Sequence, residues 1–338
     1  MKKTWVFILF TAALFILAYI SLHVGNYEVS PAIVFKLLIA KIFNRPMPET
    51  GDYARIIVLE MRLPRILLAI AAGAVLGMTG AVSQSVFRNP LVSPFILGIS
   101  SGASLGAAIA IVFFSSSMLA LDAFAALGGL LAVLASFFIA RKPDGTMPRL
   151  SLVLGGVIVS SFASSLVGIL KYVADSETQL PAITFWMMGG LESADWETVK
   201  PVLFITLPIV ILIAVFARHL NILSLGDKEA AFLGMSPEKW KMFFIFLVVV
   251  SVGACVARCG VIGWIGLVVP HMARAILGAE HSSSVPLSGL LGAGFLLISD
   301  NIARSITTAE LPVGIITALI GTPCFIYFLK KREGGVWK

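Results

Sequence analysis

The sequence predicts an all-α integral membrane protein of about ten transmembrane helices in a single domain, residues 1–338. Three observations carry this. The chain is 58% hydrophobic and 13% charged, with a mean hydropathy of +0.98, whereas soluble domains carry about 25% charged residues. Apolar runs of spanning length recur from one end to the other. No interval between them is long enough for a soluble domain.

A spanning helix needs roughly 20 mainly apolar residues. The candidates are 4–24, 63–82, 95–114, 119–140, 150–170, 199–216, 242–257, 261–277, 285–306 and 313–329. The first has a basic start and a long apolar run, with no clean small-residue cleavage site. It reads as a retained span rather than a removed leader. After it, residues 30–43 (SPAIVFKLLIAKIF) form a short amphipathic, interfacial helix. The second span carries Gly73 and Gly77 as G-x-x-x-G, which lets helix backbones approach closely. Asn89-Pro90 and Ser93-Pro94 then break the chain before the third span, whose Gly98, Ser100, Ser101, Gly102, Ala103 and Gly106 allow close packing. In the fifth span Ser160, Ser161, Ser164, Ser165 and Gly168 recur at helical spacing. They suit either tight packing or a weakly polar conduit. Between the sixth and seventh spans lies a polar loop, residues 224–240 (SLGDKEAAFLGMSPEKW). Asp227 can cap a short helix that Gly234 ends, and Ser236-Pro237 can start a second. Such a short helix pair is a natural handle for a soluble motor.

Ten spans put both termini on one side. With both termini cytoplasmic, the inner segments hold 15 of the 25 lysines and arginines but 6 of the 18 acids. This satisfies the positive-inside rule. The net charge of +7 is therefore a record of topology, not a footprint for nucleic acid.

Several chemistries are excluded by context. Gly98-Ile99-Ser100-Ser101-Gly102 fits the nucleophile-elbow pattern, but an elbow needs a strand before the turn. Here the serine opens an apolar span, and no His–carboxylate pair accompanies it. Cys255 and Cys259 lie on one predicted helix with no nearby His or carboxylate, a poor metal site. No metal site and no bound cofactor are expected. No Walker A sequence occurs, so ATP, if it drives this protein, is hydrolysed by another chain.

Charges near span ends are the strongest local candidates. Arg62 and Arg65 flank Leu63-Pro64 at the outer mouth of the second span, and Asp300 and Arg304 lie four apart near the outer end of the ninth. Asp300 and Arg304 suit a local ion pair. The three arginines also suit a docking surface for an acidic partner. An ion-coupled secondary transporter is the rival reading. It would call for midplane carboxylates in broken helices, whereas Asp122, Asp300 and Glu310 sit near helix ends.

Three blocks then resemble a known family over nearly the whole chain. They are residues 62–106, opening Arg-Leu-Pro-Arg; residues 226–235, GDKEAAFLGM; and residues 260–325, with GVIGWIGLVVPHMAR, SDNIAR and AELPVGIITALIGTPCF. The chain resembles the FecCD-type permeases of ABC importers for iron–siderophores, haem and vitamin B12. The resemblance implies the type II ABC importer permease fold, a homodimer of ten-helix subunits in the cytoplasmic (inner) membrane, and a central pathway. It implies two cytoplasmic ATPase subunits, an external substrate-binding protein, and a metal-chelate cargo. A ferric siderophore is the expected cargo, with haem, cobalamin and molybdate as alternatives. It assigns binding-protein docking to Arg62, Arg65 and Arg304. ATPase coupling falls to Asp227, Lys228, Glu229, Ala230, Ala231, Leu233 and Gly234. Pathway lining falls to the fifth and tenth helices, here Ser160, Ser161, Ser164, Ser165 and Gly168. An inner gate falls to Arg141, Lys142, Asp144, Gly145 and Thr146.

Overall fold

The computed structural model describes residues 2–25, 27–46, 52–114, 117–142, 147–307 and 309–333. The described residues are helical throughout, without strands. In chain order the helices are α1 (Lys2–Ser21), α2 (Pro31–Ile42), α3 (Asp52–Arg55), α4 (Leu63–Val86), α5 (Ile99–Phe113), α6 (Met118–Ala140) and α7 (Arg149–Val173). There follow α8 (Gln179–Met188), α9 (Trp196–Leu225), α10 (Asp227–Phe232), α11 (Pro237–Cys259), α12 (Ile265–Leu277), α13 (His281–Ile306) and α14 (Val313–Glu333). Among the described residues, eight helices are long and apolar enough to cross a membrane, and α5 and α12 are shorter apolar helices. Each coincides with one of the ten expected spans.

α4 is the axis of the bundle. It is buried along nearly its whole length among α13, α9, α12 and α11. Small residues make this possible. A Cβ on Gly73 would lie 2.3 Å from the Gly292 carbonyl oxygen, and one on Gly77 would lie 2.1 Å from that of Ser288. The α4 and α13 backbones therefore touch, the geometry that G-x-x-x-G permits where lipid offers no hydrophobic drive. α5 and α6 meet the same way through Gly102 and Gly128. α1, by contrast, packs chiefly on α13 and leaves Trp5, Leu9 and Phe15 exposed, as a lipid-facing helix does.

Several boundaries differ from the sequence reading, each for a local reason. Helix precedes the second span: α3 and a π-helical stretch, Ile56–Arg62, lead into α4 without a break. The third span begins at Ile99 rather than residue 95. Pro94–Leu97 make a 3-10 turn, and Gly98 sits left-handed at φ +83°. Ser100 therefore opens a helix with no strand before it, which removes the elbow geometry. Between the fifth and sixth expected spans lies a further short helix, α8. The interfacial helix is present as α2, burying Val34, Leu37 and Ala40.

Candidate functional site

Two charged clusters, one face of α7 and one gate segment hold the candidate residues. The first cluster ties the start of α4 to the end of α13. Arg65 donates to Asp300 through Nε at 2.8 Å and to Glu310 through Nη1 at 2.7 Å. Arg304 lies 3.5 Å from the other Asp300 oxygen and donates to the Ser21 carbonyl at 2.8 Å. Arg62 donates to the carbonyls of Leu22 and Tyr27 at 2.8 and 2.5 Å. These are not rim cations. Arg62, Arg65 and Arg304 are 6%, 9% and 3% exposed, and Asp300 is fully buried. The local Asp300–Arg304 pairing expected from their spacing exists, but the shorter contact to Asp300 comes from Arg65, 235 residues away. Burying such charges is tolerable only because each has a partner. The arginines meant for docking thus spend their hydrogen bonds inside this chain.

The second cluster lies at the other end of the bundle. After α9, Gly226 (φ +150°) turns the chain into α10, and Gly234 (φ +79°) ends it. Both angles favour glycine. The cap of α10 is Gly226, not Asp227 as the sequence suggested. The Glu229 carboxylate lies against Gly226, in the space a side chain would fill. Asp227, at the first helical position, is thereby released to act as a hub. It accepts from Lys241 Nζ at 2.7 Å, from Arg149, and from Arg88 at 3.4 Å. Burial pushes its carboxyl pKa up. The Lys241 hydrogen bond and charge, with Arg149 and Arg88, outweigh this and hold it below the ordinary value. The expected second short helix does not form. Ser236-Pro237 starts α11 itself, with proline in its first turn. Between the two, Ala230 is buried, whereas Phe232 and Leu233 are 89% and 63% exposed. Lys228, Glu229, Ala231 and Gly234 are exposed beside them. The turn thus presents a large apolar pair outward among polar neighbours.

α7 runs from Arg149, a partner of Asp227, toward the opposite end. Ser161, Ser164, Ser165 and Gly168 share one face at i, i+3, i+4 and i+7, and all four are exposed. A Cβ on Gly168 would meet nothing within 4 Å. Ser165 returns its hydroxyl to the Ser161 carbonyl at 3.0 Å, so the face is less polar than its composition implies. Ser160 is set apart, half-buried near Gly98. Beside this stripe Leu154, Ile158, Phe162 and Ile169 form an apolar one. In the candidate gate, Arg141 caps α6 in extended geometry and Lys142 is exposed. Asp144, Gly145 and Thr146 lie outside the described residues.

Besides the Arg65–Asp300 contact, two features escaped the sequence. One is the Asp227 hub, whose partners lie 139, 78 and 14 residues away. The other is the Asp122–Arg258 pair, 2.7 Å apart, which joins the start of α6 to the end of α11. Distance along the chain hid both.

The model of the FecCD transport family matches residues 13–331. The molybdate import system permease protein MolB of Haemophilus influenzae is 40% identical over 333 residues, 96% of this chain and 96% of that protein. The hemin transport system permease protein HmuU of Yersinia pestis is 40% identical over 292 residues, 84% of this chain and 86% of that one. Among solved structures, a metal-chelate type ABC transporter in an inward-facing conformation superimposes with a TM-score of 0.86. It is 36% identical and covers 97% of this chain and 99% of its own.

Proposed function

The chain belongs to the FecCD transport family, and from that premise we propose that it is the membrane permease of an ATP-driven importer that carries a ferric siderophore. The family and the structural likeness make it a permease subunit of an ABC importer of the metal-chelate class. Two copies of the chain sit in the cytoplasmic membrane with their termini inside. Two separate ATPases hydrolyse ATP below them, and an external binding protein delivers cargo from above.

One observation carries the mechanism: α10 presents Phe232 and Leu233 outward while Asp227 grips Arg149, the first residue of α7. A motor seated on the exposed pair moves α10. The ion pair passes that movement to the helix whose Ser/Gly face lines the pathway, and to the segment around Arg141 and Lys142 that gates it. The pathway face offers small side chains and no charge, so a bulky complex slides without being held. Selectivity then resides in the binding protein. The acidic binding protein would have to compete with Asp300 and Glu310 for Arg65, because that guanidinium is already occupied.

Proteoliposomes holding the permease, its ATPases and its binding protein test this. ATP-dependent accumulation of radiolabelled ferric siderophore is the expected result. Accumulation of haem, cobalamin or molybdate instead would keep the importer and replace the cargo. Uptake driven by a proton or sodium gradient without ATP would overturn the reading.

A further inference from the structure

The stretch that leads into α4 winds more loosely than an α-helix. Residues Ile56–Arg62 are π-helical, and Leu63 donates its N–H to the Val58 carbonyl rather than to that of Leu59, four residues back. In the same register the Leu59 carbonyl would be served by residue 64. That residue is proline, which has no N–H. Leu59 is fully buried, and a buried carbonyl without a donor is costly. The donor comes from elsewhere in the chain. The Trp196 indole Nε1 donates to the Leu59 carbonyl at 2.9 Å, across 137 residues. Trp196 opens α9 and is fixed there by a capping box. The Thr198 N–H donates to the Asp195 carboxylate at 2.7 Å, and the Asp195 N–H to the Thr198 hydroxyl at 2.9 Å.

Two windings of this stretch are therefore close in hydrogen bonding. In the π register Leu59 needs the indole. In the α register Leu63 would return to Leu59, and the indole would not be needed. A change of register turns the chain before Leu63 against α4 by the angle of one residue, about 100°. Arg62 sits at that junction. It donates to the Leu22 and Tyr27 carbonyls, and Gly25 makes room for it: a Cβ there would lie 2.9 Å from Nη2. Rotation withdraws Arg62 from both carbonyls. Arg65 lies within α4 and keeps Asp300 and Glu310.

We propose that residues 56–62 are a two-register hinge, that the Trp196 indole is its latch, and that opening the latch releases Arg62 while Arg65 stays bound. A released Arg62 is what docking of an acidic partner needs. That use of it rests on the import reading above. The hinge does not, and it is tested on the permease alone, so either can fail without the other.

The test uses the full-length permease in nanodiscs, with its own cysteines replaced by alanine. Spin labels are attached at Tyr53→Cys and Phe204→Cys, both exposed positions. Trp196→Phe keeps an aromatic ring and removes the donor. The expected result is a second label-to-label distance, with phenylglyoxal modifying Arg62 several-fold faster than in the parent protein. Pro64→Ala gives Leu59 a backbone donor in the π register. Added to Trp196→Phe, it should restore the single distance and the protection of Arg62, which a loss of ring packing would not allow. The same N–H would serve Glu60 in the α register, but residue 60 is exposed, where solvent competes and a bond gains less. If Trp196→Phe fails to fold, recovery of folding by Pro64→Ala supports the latch equally. An unchanged single distance in Trp196→Phe, a new distance with Arg62 still protected, or a defect that Pro64→Ala leaves in place overturns the proposal.

Discussion

Arg149, the first residue of α7, and Asp227, the first residue of α10, form an ion pair across 78 residues of chain. It joins the turn between two spanning helices to the helix that carries the Ser/Gly face. Asp227→Asn should therefore lower ATP-driven uptake several-fold while the permease still assembles with its ATPases. Arg149→Gln should do the same, and the double variant should be little worse than either alone, since neighbours in one network are not additive. Independent, multiplying losses would remove this pair from the transmission route. The stability effect is expected to be small, about 0.2–1 kcal/mol, because Asp227 is part-exposed and its ion pairs are screened.

The same carboxylate sets a pH dependence. Its pKa in the folded protein lies below the ordinary carboxylate value. The stabilisation it contributes is complete above the unfolded value, about 3.9, and is lost as pH falls through the lower folded one. Coupling through Asp227 should be flat from pH 5 to pH 8, on the order of its full value throughout. A titration of uptake with a midpoint inside that window, absent from Asp227→Asn, would contradict the assignment.

Asp300 is the most exacting position in the chain. It is fully buried between Arg65 and Arg304. Asp300→Asn removes the charge that compensates them and should cost about 3–5 kcal/mol, by analogy with broken buried pairs. Asp300→Glu should cost less if the longer side chain keeps both contacts. Thermal unfolding in detergent measures both. An Asn variant as stable as wild type would show that water reaches this cluster.

Docking at Arg62 and Arg65 needs a different test from simple charge reversal. Both are buried, so Arg62→Glu with Arg65→Glu would unfold this end of the bundle as well as repel an acidic partner. Glu310→Gln is the sharper probe. It frees Arg65 Nη1 from an intramolecular rival without emptying the core. Tighter binding-protein docking, by a few-fold and more so at low salt, is expected. Weaker docking would mean Glu310 itself faces the partner.

On α7, Ser164→Leu adds bulk to the exposed Ser/Gly face and should slow uptake with assembly intact. Ser160→Ala, off that face, should have little effect. Equal losses from both would point to helix packing rather than a conduit. In the core, Gly73→Ala places a methyl 2.3 Å from the Gly292 carbonyl oxygen. It should force α4 and α13 apart and lower the melting temperature by several degrees.

Much of the fold was legible because a bilayer imposes a length and a composition on each span. Every expected span has its helix. The errors lay where backbone geometry outranks hydropathy. Pro94 and Gly98 delay α5, and Gly226 takes the capping role that Asp227 could have filled by residue type. The candidate site was legible as a set of residues but not as contacts. Asp300–Arg304 was readable as i, i+4, whereas Arg65–Asp300 and Arg149–Asp227 were not.

By itself, then, the sequence determined the membrane class, the succession of apolar helices, the loop between α9 and α11 and the family blocks. Each is written in hydropathy or in contiguous residues. The tertiary structure alone decided which charges face water and which face each other. It turned three expected rim arginines into buried, internally bonded ones, and one expected cap into a three-cation hub. The reason is physical: the cost of burying a charge depends on the partners that packing brings within a few ångströms, and these partners come from distant parts of the chain.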